Sequence, residues 1–182
     1  MKTLIIFILL SIPITWVSWR TLFNTKSHGF YRFISWECIA LLFAYNYPFW
    51  FDAPFTPVHL ISWILLFICV YVVIAGYLEL KKGGKASKAR HDDHLYTFEK
   101  TTELVDTGIY KYIRHPLYAS LIYLTWGIYF KNPTFDLFLI AAVSSVFLYF
   151  TARFDEKECI AYFGDKYSDY MKRSKRFVPF VF

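Results

Sequence analysis

Cysteine is scarce and odd in number. The 182 residues hold three, Cys38, Cys69 and Cys159, with neither the even count of a disulfide framework nor the close spacing of a metal site. Two of them fall inside apolar runs, where cysteine serves as a small buried hydrophobe. Charge is thin as well: Asp, Glu, Lys and Arg make up 19% of the chain, against about 25% in soluble domains. Apolar residues replace them. The chain is 57% hydrophobic and 23% aromatic, with a mean hydropathy of +0.35, where soluble domains run at roughly 45–50% apolar. That composition favours a membrane protein, and the length suits a single domain over 1–182. The net charge of +6 does not imply nucleic acid by itself. Where the charges sit decides.

Five apolar segments stand out, approximately Thr3–Trp19, Phe33–Phe51, Val58–Leu78, Leu117–Phe130 and Thr134–Phe150. A helix needs on the order of 20 residues to cross a bilayer, and "VHLISWILLFICVYVVIAGYL" meets this unaided. The fourth segment is short, and "KNP" (131–133) turns it into the fifth as a tight helical hairpin. The linker 20–32 carries Arg20, Lys26 and Arg32, and the linker 52–57 carries no Lys or Arg. Basic residues then crowd 79–115 and the tail from Arg153, while the 131–133 turn holds only Lys131. Positive charge alternates from side to side, as five transmembrane helices with an outside N-terminus and a cytosolic C-terminus require. "MKTLIIFILLSIPITWVSW" resembles a signal peptide in its basic start, but it lacks a small-x-small cleavage site and reads as a retained anchor. The fold expected is an all-α membrane protein of about five transmembrane helices.

Few polar groups interrupt those helices. Glu37 and Pro48 are the candidates near mid-span, and Glu37 reads as interfacial, which argues against a transporter with a polar midplane site. The polar stretches lie outside. Segment 79–115 spans about 37 residues, longer than the roughly 12–15 at which an unstructured loop becomes unusual. "ELKKGGKASKARHDDH" reads as a solvated basic linker near anionic headgroups. His91 and His94 invite a metal, but no third ligand is evident and none is expected.

"YTFEKTTELVDTGIYKYIRHPLY" changes character. Gly108 closes a turn at Asp106-Thr107-Gly108 with a left-handed backbone. Pro116 holds His115 extended and starts the next helix. Arg114 and His115 therefore stand at a helix N-terminus on the membrane surface, where free N–H groups suit an anion. Arginine and histidine are costly at the mouth of an apolar run, so the cluster with Tyr110 and Tyr118 reads as a site. In the tail, Arg153, Asp155, Glu156 and Glu158 follow the fifth segment, with Glu158 read as a solvated charge. "AYFGDKYSDYM" spaces its aromatics for a helix lying on the membrane or the domain.

"ELVDTGIYKYIRHPLY", a helical hairpin, the acidic pair Asp155-Glu156, "FGDKYSDY" and a terminal "FVP" together resemble the isoprenylcysteine carboxyl methyltransferase family, whose wider relatives include phospholipid N-methyltransferases and bacterial membrane methyltransferases. The resemblance covers about residues 95–180. It implies a small helical membrane enzyme using S-adenosylmethionine in a cytosolic pocket formed by the 79–115 loop and the tail. It places Thr102, Glu103, Leu104, Val105, Tyr110, His115, Pro116, Leu117, Tyr118, Asp155 and Glu156 at the cofactor, with Glu156 the preferred contact. His115 and Glu156 are the candidates for acid–base work, and no metal is implied.

One departure bears on the acceptor. Relatives that methylate prenylcysteine carry an arginine about one helical turn before the acidic pair, where this chain has Thr151. The nearest arginine is Arg153, and two residues on a helix rotate a side chain by about 200°. Arg153 and Arg114 are the candidate substrate contacts. The expectation is methyl transfer to a lipophilic small molecule or lipid among membrane lipids, with no nucleic acid. Prenylcysteine O-methylation and a non-enzymatic sensor or assembly protein are the alternatives.

Overall fold

The computed structural model describes residues 1–84 and 101–180. His91 and His94 lie outside the described residues. Six α-helices are described: α1 (Lys2–Ser18), α2 (His28–Asn46), α3 (Pro57–Gly83), α4 (Pro116–Tyr129), α5 (Phe135–Phe163) and α6 (Asp165–Arg173). Short 3-10 turns occupy Tyr47–Phe49 and Gly108–Lys111. Among the described residues there is no strand, only an isolated parallel bridge between Ile113 and Lys175.

Capping chemistry sets the boundaries. Ser27 caps α2, Thr56 caps α3 with Pro57 behind it, and Thr134 caps α5. Each side chain accepts a backbone N–H that the first helical turn leaves unpaired. The five apolar segments correspond to α1 to α5, with α2 starting and ending five residues earlier than its segment and α3 running on from Leu78 to Gly83. The largest difference is at the end of α5, which runs on through the charged stretch to Phe163. It stops at Gly164, whose φ of 61° suits glycine and turns the chain into the amphipathic α6.

Helix α3 packs on α4, α2 on α5, α1 on α2, and α4 on α5. One apolar cluster joins Val72, Ile113, Tyr118, Leu148, Ala152 and Phe177, and another joins Ile39, Leu42, Ile128, Leu137 and Ala141. Small polar groups tie helices inside this core. Ser35 and Ser144 lie 2.8 Å apart, and Ser62 donates to the Gly127 carbonyl at 2.6 Å. In an apolar surround such bonds replace partners that water would otherwise supply.

Helices α3 and α5 are long and apolar enough to cross a membrane. Only 17% of the most apolar window of α3 is buried inside the protein, so it is not the core helix of a soluble domain. Ile64, Phe67, Tyr71 and Ile74 face outward uncovered. Glu37 accepts a hydrogen bond from Ser11 of α1 at 2.6 Å, because α1 packs over that face of α2.

At one end of the bundle, His59 lies 2.6 Å from the Ala53 carbonyl and 2.8 Å from that of Lys131. Lys131 is buried, with Nζ 3.4 Å from the centre of the Trp63 ring and 5.2 Å from that of Trp50. The candidate site occupies the other end.

Candidate functional site

The start of α4, the last turns of α5, α6 and the loop 101–113 converge on one pocket. Gly108, at φ 54°, lets that loop turn sharply beside Glu79, whose carboxylate accepts from Thr107 Oγ1 at 2.6 Å. The loop then enters α4 through His115, its N-cap at φ −126°, with Pro116 in the first turn as expected. A segment from the tail, Ser174–Phe177, straps this entry. Arg114 and His115 donate their backbone N–H groups to the carbonyls of Lys175 and Arg176 at 2.8 and 3.2 Å, and Lys175 donates to Tyr112 at 2.9 Å. Tyr170 of α6 donates to the Tyr110 carbonyl at 2.6 Å, and Arg173 pairs with Asp106.

Leu104, Val105, Tyr110, Arg114, His115, Pro116, Leu117, Tyr118 and Asp155 all line the pocket. Thr102 and Glu103 instead line a neighbouring groove with Lys166 and Asp169. Glu156 does not line the pocket and lies behind it. Arg153 is exposed on α5, turned away, while Thr151 is buried. The remaining walls are Leu80, Thr101, Cys159, Phe163, Tyr167 and Tyr170. The described walls enclose about 100 Å³, room for part of a nucleoside-sized ligand where drug-sized sites run to roughly 300–1,000 Å³.

Charge is concentrated at the back of the pocket. Glu156 is 3% exposed, and two arginines share it. Arg114 Nε donates to Oε1 at 2.8 Å, while Arg176 donates through Nε to Oε1 and through Nη2 to Oε2, each at 3.0 Å. Arg114 also donates to the Ser174 carbonyl. A buried carboxylate needs such bonds to offset its lost hydration. His115 Nδ1 stands 3.4 Å from Asp155 Oδ2, and Nε2 stands 3.5 Å from Glu156 Oε1. Its ring stacks on Tyr118 at 5.4 Å.

Burial works against the imidazolium of His115. Hydrogen bonding to Asp155 and Glu156, and their charges, outweigh it and raise its pKa. Burial also pushes the Tyr167 and Tyr170 phenols up, so both remain protonated donors. The pocket therefore offers an accepting carboxylate, an imidazole whose charged form that carboxylate favours, and the N-terminal end of α4, between leucine, valine and aromatic walls. That donor set suits a small amphiphile carrying both cationic and anionic groups.

Sequence reasoning missed Arg176, because its partner Glu156 lies 20 residues away across a chain reversal. Tyr167 and Tyr170 read only as aromatics at helical spacing. Glu158, read as a solvated charge, pairs with His28 of α2 at 2.7 Å. The Cys159 thiol reaches Asp155 at 3.6 Å.

The chain is similar to methanethiol S-methyltransferase 1 of Bradyrhizobium diazoefficiens, at 27% identity over 65% of this chain and 39% of the relative. It is similar to protein-S-isoprenylcysteine O-methyltransferase of Mus musculus, at 31% identity over 56% of this chain and 37% of the relative. The Homo sapiens protein of that name is 30% identical over the same shares, 56% and 37%. The chain thus spans about two fifths of the length of these curated relatives. No solved structure matches it. The profile of the phospholipid methyltransferase family matches residues 57–166, a stretch that contains α3, the 101–115 loop, α4, and Asp155 and Glu156 on α5. By that match over more than half its length, the chain belongs to the phospholipid methyltransferase family.

Proposed function

We propose that the chain is an S-adenosylmethionine-dependent membrane methyltransferase acting on a lipophilic small molecule or lipid. The observation that carries this reading is the pairing of His115 with Asp155 on the wall of a pocket at one end of an apolar helical bundle. Asp155 accepts from the amino or hydroxyl groups of the cofactor. His115 and the first N–H groups of α4 receive its carboxylate. Leu104, Val105, Leu117 and Phe163 pack its apolar surface. When bound, S-adenosylmethionine supplies a methyl group on a sulfonium.

The residues then have little covalent work to do. They hold donor and acceptor in line and keep water out. Asp155 and Glu156 favour the charged form of His115, which suits it to donate rather than abstract. Where the acceptor must shed a proton, Asp155 is the carboxylate at hand, while both Glu156 oxygens are occupied by arginines. The curated relatives include a methanethiol and a prenylcysteine methyltransferase, so a thiol, an amine or a phenolic hydroxyl in a lipophilic acceptor falls within the class. Arg153 is exposed and does not line the pocket, which disfavours a prenylcysteine carboxylate held from α5.

This reading has five helices spanning the membrane, with the N-terminus outside and the pocket and C-terminus cytosolic, supported by the alternation of Lys and Arg. Calorimetric titration with S-adenosylmethionine tests the site, and binding that His115→Ala and Glu156→Ala weaken is expected. Labelled cofactor is then offered membrane-lipid extract beside a farnesylated cysteine analogue. No binding by the wild-type protein would leave the chain a non-enzymatic member of its family.

A further inference from the structure

The Ser174–Phe177 strap lies outside the stretch matched by the family profile, yet it contacts the site repeatedly. Its carbonyls take the N–H groups of Arg114 and His115. Its Ser174 carbonyl takes Arg114 Nη1. Phe177, 4% exposed, lies against the His115 ring at 6.3 Å. Arg176 grips both oxygens of Glu156 while its guanidinium covers the Tyr149 ring at 5.0 Å. A two-pronged arginine fixes the plane of a carboxylate as well as its charge.

We propose that Arg176 is a positioning residue for the pocket: through Glu156 and the strap backbone it sets both the place and the charge of His115. The inference rests on the reading that His115 faces the bound cofactor. Without Arg176, Glu156 keeps only Arg114, its carboxylate turns, and its negative charge bears more fully on the imidazole 3.5 Å away. The charged groups facing His115 are Asp155 and Glu156 from α5, Arg114 from its own loop and Arg176 from the strap. Among the described residues, Tyr118 of α4, Cys159 of α5 and Tyr167 and Tyr170 of α6 complete the titratable surround, with His28 of α2 acting on Asp155. Arg176 is the strap's one charged contact in that set, so its removal has a predictable sign.

The test uses the whole protein in detergent, in two arms. Histidine NMR follows the titration of His115 in unliganded protein, its signal identified by its loss in H115Q. R176Q raises the midpoint by about one unit, because a compensating cation has gone, and R176K gives a smaller rise. Calorimetry with S-adenosylmethionine shows binding weakened at least tenfold in R176Q and largely restored in R176K. An unmoved His115 midpoint in R176Q overturns the proposal, whatever the affinity. Should R176Q fail to fold, R176K decides alone: a rise of a few tenths of a unit supports the proposal and the wild-type midpoint overturns it. Absence of cofactor binding in wild type removes the cofactor reading, while the NMR arm still judges Arg176.

Discussion

His28 and Glu158, 130 residues apart, meet twice: the backbone N–H of His28 donates to Oε1 at 3.2 Å, and Nδ1 stands 2.7 Å from Oε2. Glu158 thereby caps α2 and anchors it beside Asp155, one turn earlier on α5. Hydrogen bonds to charged groups contribute about 1.5–3 kcal/mol, and Glu158 is 21% exposed at its side chain, which favours the lower end. Glu158→Ala should cost about 1.5 kcal/mol of stability in detergent. The double variant with His28→Ala should lose little more than the worse single one. Fully additive losses in denaturant unfolding would show that the two residues are not coupled.

Stability should also depend on pH through His115. Its folded pKa is raised, so its pairing with Asp155 and Glu156 stabilises the fold fully below the unfolded value of about 6.5. That contribution is lost as pH rises through the folded pKa. The melting temperature of wild type should exceed that of His115→Gln by more at pH 5.5 than at pH 9. A gap that is constant, or widest at high pH, would contradict the ion pairing.

Asp155 and Arg153 should part company. Asp155 lines the pocket and Arg153 is exposed. Asp155→Asn should weaken S-adenosylmethionine binding by about tenfold or more, the worth of a charge-assisted hydrogen bond. Arg153→Ala should stay within about twofold, in affinity and in transfer to a farnesylated cysteine analogue. Turnover of that analogue lost in Arg153→Ala would place this arginine at the substrate after all.

Gly108→Ala tests the loop that carries Tyr110. A methyl group there would stand 2.6 Å from the Glu79 carboxylate carbon, on a backbone at φ 54°. The left-handed conformation alone costs a non-glycine residue about 1–2 kcal/mol. A comparable loss in unfolding free energy is expected, and an unchanged melting curve would refute the strain.

The helices were legible because apolar runs and their polar breaks report themselves locally. His115, Pro116 and Asp155 were legible because they belong to a spaced pattern within the family. Arg176 and His28 were not. What brings them to the site is the docking of the strap and of α2 against α5, and nothing near either residue in sequence encodes its partner. Glu158 was misjudged for the same reason: a carboxylate counts as solvated until a neighbouring helix supplies a donor.

Helix α4 has 14 residues, and at 1.5 Å of rise each it is about 21 Å long. A bilayer core of about 30 Å therefore exceeds it by roughly 9 Å. On the proposed five-span topology its far end, the Lys131 turn, would stop short of bulk water across an undistorted bilayer, with the Trp50 and Trp63 rings around the ammonium in place of solvent. On that proposed topology the surrounding lipid would dimple towards this hairpin and give the protein a preference for thin membranes. Reconstituted into nanodiscs of graded acyl length, it should melt highest in the shorter lipids, and a preference for the longest would mean that the hairpin does not lie across the bilayer.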